Sequence, residues 1–327
     1  MERKNIFTLK NLLILIALAA AYGIIQLLRS FGILNTYHEI TLAMICINVM
    51  LAAGLNLITG FTGQFSLGHS GFMAIGAYCC GLILVRLPNY AGFFTGLAAG
   101  AVCAALVGIL IGFPTLRLKG DYLAIATLGM AEIIRVIILN LDFTNGAAGL
   151  SGIPRIANWF WMFFFAVVTV VIINNFLRSS YGRACISVRE DEIAAESAGV
   201  NSTLYKIAAF AIGAFFAGLA GGMYASYFYI LKPELSGFLK SVDMLVIVVS
   251  GGLGSLTGSV VAAVALTFLM AALQSLSEVR MIVYALILIL LMRFRPQGLM
   301  GTMEIGDFIP KIKTFKMPGF GAKEDKS

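Results

Sequence analysis

Charge is what this chain has least of. Only 12% of its residues are Asp, Glu, Lys or Arg, about half the share of roughly a quarter found in soluble domains. That excludes an ordinary water-soluble fold, and 60% apolar residues with a mean hydropathy of +0.93 point to an integral membrane protein. Alternating strand patterns are missing too, whereas apolar runs of spanning length recur, so helices are the expected spanning element. The five cysteines, Cys46, Cys79, Cys80, Cys103 and Cys185, show no CxxC and no Cys/His spacing. They read as small core hydrophobes, with no metal site or redox pair implied. No paired carboxylates or nucleophile–base constellation suggests an enzyme. No GxxxxGK[ST] phosphate loop occurs, since the Gly-rich 251–258 stretch lacks the lysine and does not open from a strand. The chain is therefore expected to bind no cofactor and to hydrolyse no ATP.

What is present is a series of about ten apolar spans. They lie near 11–29, 39–58, 70–86, 91–113, 122–140, 157–177, 207–230, 241–252, 258–275 and 280–294. The fold class expected is all-α, a polytopic transmembrane helix bundle. The third and eighth spans are short and Gly-interrupted, which marks them as candidates for broken or re-entrant segments. Arg3, Lys4 and Lys10 precede the first run like the start of a signal peptide. That run is long and lacks a clean small-x-small cleavage site, so it reads as a retained helix. The division expected is a cytoplasmic N-terminus at 1–10, a transmembrane domain at 11–295 and a basic cytoplasmic tail at 296–327.

With both termini inside, basic residues collect on the cytoplasmic side, including Arg117, Lys119, Arg178, Arg183, Arg189 and Lys206. The other side holds few, among them Arg29, Arg86, Arg155, Lys232 and Lys240. This is the positive-inside pattern, and it explains the formal net charge of +7 without any nucleic acid. Small residues recur at four-residue spacing: Gly96, Gly100, Ala104, Gly108 and Gly112 in the fourth span, and Ala214, Gly218, Gly222 and Ser226 in the seventh. Residues four apart share a helix face, and small ones let two backbones approach closely in lipid.

One long polar island, 178–206, interrupts the apolar sequence. Ser187 and Glu190 have capping-box spacing. Glu190, Asp191 and Glu192 place negative charge at a helix N-terminus, and Gly199 stands where a left-handed cap ends a helix. These signals predict one helix over about 188–198, roughly 16 Å long, too short to be stable alone in water. Ile193, Ala194 and Ala198 would supply its apolar face, leaving Glu192 and Glu196 exposed. Two readings stand side by side: a solvated connector packed under its own bundle, or a coupling helix inserted into a separate cytosolic subunit.

A second group of polar residues, Gln64, Ser66, His69 and Ser70, sits in the Gly-broken stretch 60–71. Irregular backbone at membrane depth is tolerated only where protein or a water-filled cavity covers it, so broken helices point to a translocation path. A turn between spans two and three is the alternative. Glu132 reads as the clear acid of mid-membrane. With Arg135 it falls at i, i+3 in the fifth span, where lone charges would each cost about 2.5–3.5 kcal/mol, favouring burial and pairing. The pair is either structural or a gate.

Four blocks carry a resemblance. They are Asn56-Leu-Ile-Thr-Gly-Phe-Thr-Gly-Gln-Phe-Ser-Leu-Gly-His-Ser-Gly71; Gly120-Asp-Tyr-Leu-Ala-Ile-Ala-Thr-Leu-Gly-Met-Ala-Glu-Ile-Ile-Arg135, followed by Asn145-Gly and Gly149-Leu-Ser-Gly152; the 191–199 loop; and Ser250-Gly-Gly-Leu-Gly-Ser-Leu-Thr-Gly258. In this order they resemble the LivM-type permeases of branched-chain amino acid ABC importers, over about 40–300. The resemblance implies a type II ABC importer-like permease in a bacterial cytoplasmic membrane. It also implies a second homologous permease subunit, two cytoplasmic ATPases that use the ATP, and an extracytoplasmic binding protein that delivers leucine, isoleucine or valine. Arg189, Glu190, Glu192, Ala195, Glu196 and Gly199 would then carry the coupling to the ATPases, and Gln64, Ser66, His69, Glu132 and Arg135 the path. A permease for urea or short amides is the near rival. An ion-coupled secondary transporter is a rival of another class.

Overall fold

The computed structural model describes residues 20, 22–32, 35–116, 118, 120–275 and, further on, 282, 283, 285, 286, 289, 293–295 and 297–301. The expected N-terminal segment and start of the first span, Arg117 and Lys119, most of the last span and nearly all of the basic tail lie outside the described residues.

After helical residues 22–30, α1 (Thr36–Asn56) runs straight into a single π-helical turn, Leu57–Phe61. Then follow α2 (His69–Arg86), α3 (Tyr90–Thr115), α4 (Asp121–Asn140) and α5 (Trp159–Arg178). Two short helices, α6 (Ser180–Glu190) and α7 (Glu192–Ser197), lead into the long α8 (Ser202–Phe228). Last come α9 (Phe238–Gly251) and α10 (Leu256–Ala272). Among the described residues, extended pairing is confined to one antiparallel bridge, Leu150 to Leu231.

Six of these are long and apolar enough to cross a membrane: Thr36–Phe61, α2, α3, α4, α5 and α8. The expected count of ten is therefore not reached among the described residues. At 1.5 Å per residue, α9 (14 residues) and α10 (17 residues) reach about 21 and 26 Å, short of a hydrocarbon core of about 30 Å. The third expected span is not broken either. α2 is continuous, and the irregular backbone lies just before it, at residues 62–68. The glycines inside α2 serve packing instead.

The centre of the bundle is α8, flanked by α2 and α3, with α1 along another side. The two small-residue stripes meet here. A Cβ on Gly218 would lie 2.6 Å from the Cβ of Ala104 and 2.9 Å from the Gly100 carbonyl, and one on Gly100 would lie 2.6 Å from the Gly76 carbonyl. Lipid removes the hydrophobic drive between helices, so dispersion between closely approaching backbones has to supply it. The stripes thus hold the core together. Phe72 and Phe210, both buried, close the space beside them edge to face at 5.5 Å between ring centres.

Candidate functional site

The polar island folds as two helices, not one. Ser179 caps α6 by accepting from the Gly182 amide at 3.3 Å. Asp191 is extended and splits the island; its Oδ1 accepts from the amides of Ile193 (2.9 Å) and Ala194 (3.0 Å) and so starts α7. The expected cap at Ser187 is not made, because that residue is already in the last turn of α6 and its hydroxyl donates to Ala184. The carboxylate of Asp191 satisfies two free amides and defines the later start. The C-terminal cap lies where expected. Gly199 has φ +84°, its amide donates to Glu196, and Val200 donates to Ala195, the double bond pattern of a Schellman cap.

The face of α7 follows the expectation in part: Glu196 is exposed as expected, whereas Glu192 is half-buried. Glu192 is tied to Lys206 Nζ at 2.6 Å, and Glu196 accepts a short hydrogen bond from the Ser202 hydroxyl. Both carboxylates thus fasten α7 to the first two turns of α8. Ala195 is the residue buried against the bundle, whereas Ala194 and Ala198 are exposed and Ile193 is 78% exposed. Among the described residues, the apolar edge of α7 is left without packing from its own chain.

Arg189 joins this loop to the broken end of α1. Its Nη1 donates to the Gly60 carbonyl at 2.7 Å, and the rest of the guanidinium pairs with Glu190 at 2.6 Å. A Cβ on Gly63 would come within 2.9 Å of the Arg189 side chain, and one on Gly254 within 2.6 Å. The arginine therefore lies in a crevice that only glycines leave open. Beneath it, fully buried Asn56 donates to the Ser255 carbonyl and the Ser259 hydroxyl, both at 2.8 Å, and accepts from the Gly254 amide at 3.0 Å. Loop, π-turn and the 252–255 connection form one hydrogen-bonded chain.

Gln64 belongs to the same place. It is buried, its amide donates to the Lys206 carbonyl at 3.2 Å, and its Oε1 has no partner among the described residues. Gln64, Arg189, Glu190 and Glu192 all line one cleft of about 260 Å³ between the island and the 62–65 strand of backbone. Two groups of residues that looked separate in the sequence, the coupling set and part of the path set, are thus brought together.

Ser66 and His69 lie deeper. Ser66 accepts from the Gly68 amide, and the Leu67 amide is taken by Thr127 of α4 at 3.1 Å. His69 opens α2 and is 1% exposed; among the described residues neither ring nitrogen makes a well-formed hydrogen bond, although the Leu51 backbone is in reach. Its neighbour Ser70 meets Ser241 of α9, hydroxyl to hydroxyl at 2.6 Å, and donates to the Ser236 carbonyl at 3.1 Å. The starts of α2 and α9 therefore meet inside the bundle.

Glu132 and Arg135 do pair, at 2.8 Å, but each side chain is 37% exposed. Burial inside the bundle is corrected: Ala131 and Ile134 take the buried face against Gly71 of α2 and turn the pair outward. Glu132 is also not alone as an acid, since Asp243 lies within α9, the eighth expected span. Asn56 and Asp243 went unremarked as functional candidates. The available signal was a polar residue inside a short apolar run.

A family model described as branched-chain amino acid transport system / permease component matches residues 37–292. The chain belongs to this family. It is 37% identical to the high-affinity branched-chain amino acid transport system permease protein LivM of Escherichia coli (strain K12), across 90% of this chain and 76% of that one. The LivM of Salmonella typhimurium is likewise 37% identical, across 79% and 68%. The LivH permease protein of Escherichia coli (strain K12) is 25% identical, across 78% and 92%. No solved structure matches the chain. A permease of this family is a multi-pass membrane protein, and the apolar side chains exposed along α3 and α4, such as Leu106, Leu110 and Ile125, then face lipid or a neighbouring subunit.

Proposed function

We propose that this permease translocates branched-chain amino acids as one of two membrane subunits of an ABC importer in a bacterial cytoplasmic membrane. Both of its termini lie in the cytoplasm. An extracytoplasmic binding protein delivers the cargo, and two separate ATPase subunits dock on the 178–206 loop. The observation that carries the reading is the state of α7. It is capped at both ends and fastened to α8 by two carboxylates, yet Ile193 stands out of its free edge. A connector that served only its own bundle would turn its one large apolar side chain inward. Arg189 then gives a displacement of α7 a direct route to Gly60 and the broken end of α1.

In this arrangement Ala195 and Gly199 set the shape of the docking helix. Glu192 and Glu196 hold it in register with α8, and Arg189 with Glu190 transmits its movement. Gln64 and Ser66 lie on the segment that would move, with His69 at its deeper end. The test is reconstitution in proteoliposomes. With partner permease, ATPases and binding protein present, leucine uptake should require ATP. Gradient-driven uptake by this chain alone would overturn the reading, and ATP-dependent uptake of urea without leucine would reassign the cargo.

A further inference from the structure

A second cavity, of about 270 Å³, lies between α1, α9 and α10, away from the cleft under the polar island. It is just below the range of roughly 300 Å³ and upward that takes drug-sized ligands, a suitable size for a single amino acid. Its charged members are Lys240 and Asp243, three residues apart on α9 and so on one face of the helix. Each lies in the other's field, yet among the described residues they close no ion pair with each other.

Deeper in, Asn48 is 8% exposed and fixed by its Nδ2, which donates to the Thr267 hydroxyl at 2.8 Å. That bond orients the amide and leaves Oδ1 buried, with no donor among the described residues. A buried acceptor without a donor is costly, about 1–3 kcal/mol, unless something else fills the role. The remaining walls are apolar: Met44, Met244, Ile247 and Leu266. Tyr37 and Gln274 stand at the rim.

A cation and an anion beside apolar walls complement a zwitterion with a hydrocarbon tail. We propose that this cavity binds one α-amino acid with an apolar side chain. Lys240 takes its carboxylate, Asp243 takes its ammonium group, and the tail lies against Met44, Met244, Ile247 and Leu266. An uncharged amide such as urea would leave both charges unpaired, which is why the cavity selects against it. The inference rests on the importer reading and adds to it the place where the permease itself holds the cargo.

The test uses the whole importer in proteoliposomes, with saturating binding protein, following uptake of labelled leucine and valine together with ATP hydrolysis. Lys240→Gln and Asp243→Asn should each lower leucine uptake about tenfold or more, the worth of a hydrogen bond to a charged group, while assembly and basal ATP hydrolysis persist. Ile247→Phe leaves both charges in place and narrows the floor. It should shift the valine-to-leucine uptake ratio upward about tenfold, the lower end of what one methylene is worth in a tight pocket. Full leucine uptake in both charge variants overturns the site, as does an unchanged ratio in Ile247→Phe. Should a charge variant fail to assemble, the Ile247→Phe ratio decides. Failure of the wild-type importer to take up leucine would sink the importer reading itself, a result distinct from wild-type uptake that the variants leave untouched.

Discussion

Asn56 shows how much one buried amide can organise. It has both a carbonyl and an NH₂ group, and in the structure each finds a partner across 198 or more residues of chain. Leucine has the same branched skeleton, with more bulk, but neither group. Asn56→Leu would strand the Gly254 amide, at about 1–3 kcal/mol for a group left unsatisfied, whereas the Ser255 carbonyl keeps the Ser259 amide and hydroxyl. We expect the variant to lose about 1–3 kcal/mol of stability, read as a lower midpoint in denaturant unfolding of the detergent-solubilised protein. An unchanged midpoint would mean that the 252–255 connection does not depend on this clamp. Glu192 illustrates the opposite case: its type and position suggested an exposed docking charge, and the fold turned it into a tether to Lys206.

At the level of elements, the short helix α7 is held by its two ends. Asp191 starts it with two hydrogen bonds, and Gly199 ends it in a left-handed conformation. Asp191→Ala removes the cap, at about 1 kcal/mol. Gly199→Val forces a β-branched residue into left-handed backbone, at about 1–2 kcal/mol. Both changes should raise hydrogen exchange of the amides between 192 and 200 while leaving α8 protected. If docking depends on a formed α7, both should also weaken association with the ATPases. Rapid exchange with undiminished association would detach the helix from the docking role. The long helices follow a different logic: α3 and α8 are fixed by the stripes that let Gly100, Ala104 and Gly218 pack backbone to backbone, and no cap could substitute for that contact.

For the whole molecule, orientation is the property that the proposed mechanism needs most. The distribution of basic residues expects α6 and α7 on the cytoplasmic side. Ile193, 78% exposed, offers a direct check when the permease is produced without the ATPases, since among the described residues little covers a cysteine there. In a variant with the native cysteines replaced, Ile193→Cys should react with a membrane-impermeant thiol reagent in inverted vesicles and stay unlabelled in intact cells. The reverse result would place the island outside and remove the ATPase reading.

Hydropathy and the small-residue spacing made the helical class and the main packing faces legible in advance, because both act within one helix. The Gly199 cap was legible for the same reason. The cleft was legible only in parts. Arg189 and Gln64 were each picked out, but their meeting depends on a contact between residues 129 positions apart, Arg189 and Gly60.

The amino-acid order by itself determined that this chain is a helical membrane protein, where most helices begin and end, which faces are small enough to touch, and its family. Those properties follow from patterns within a turn or two or from blocks of contiguous residues. Tertiary structure alone decided that Asp191 divides the polar island and that Glu192 and Glu196 point back to α8. It likewise decided that Glu132 and Arg135 face outward and that Lys240 and Asp243 share a cavity with Asn48. Each of these depends on where a distant segment comes to lie, and a side chain's hydrogen bonds and burial are set by that neighbour, whatever its own local sequence.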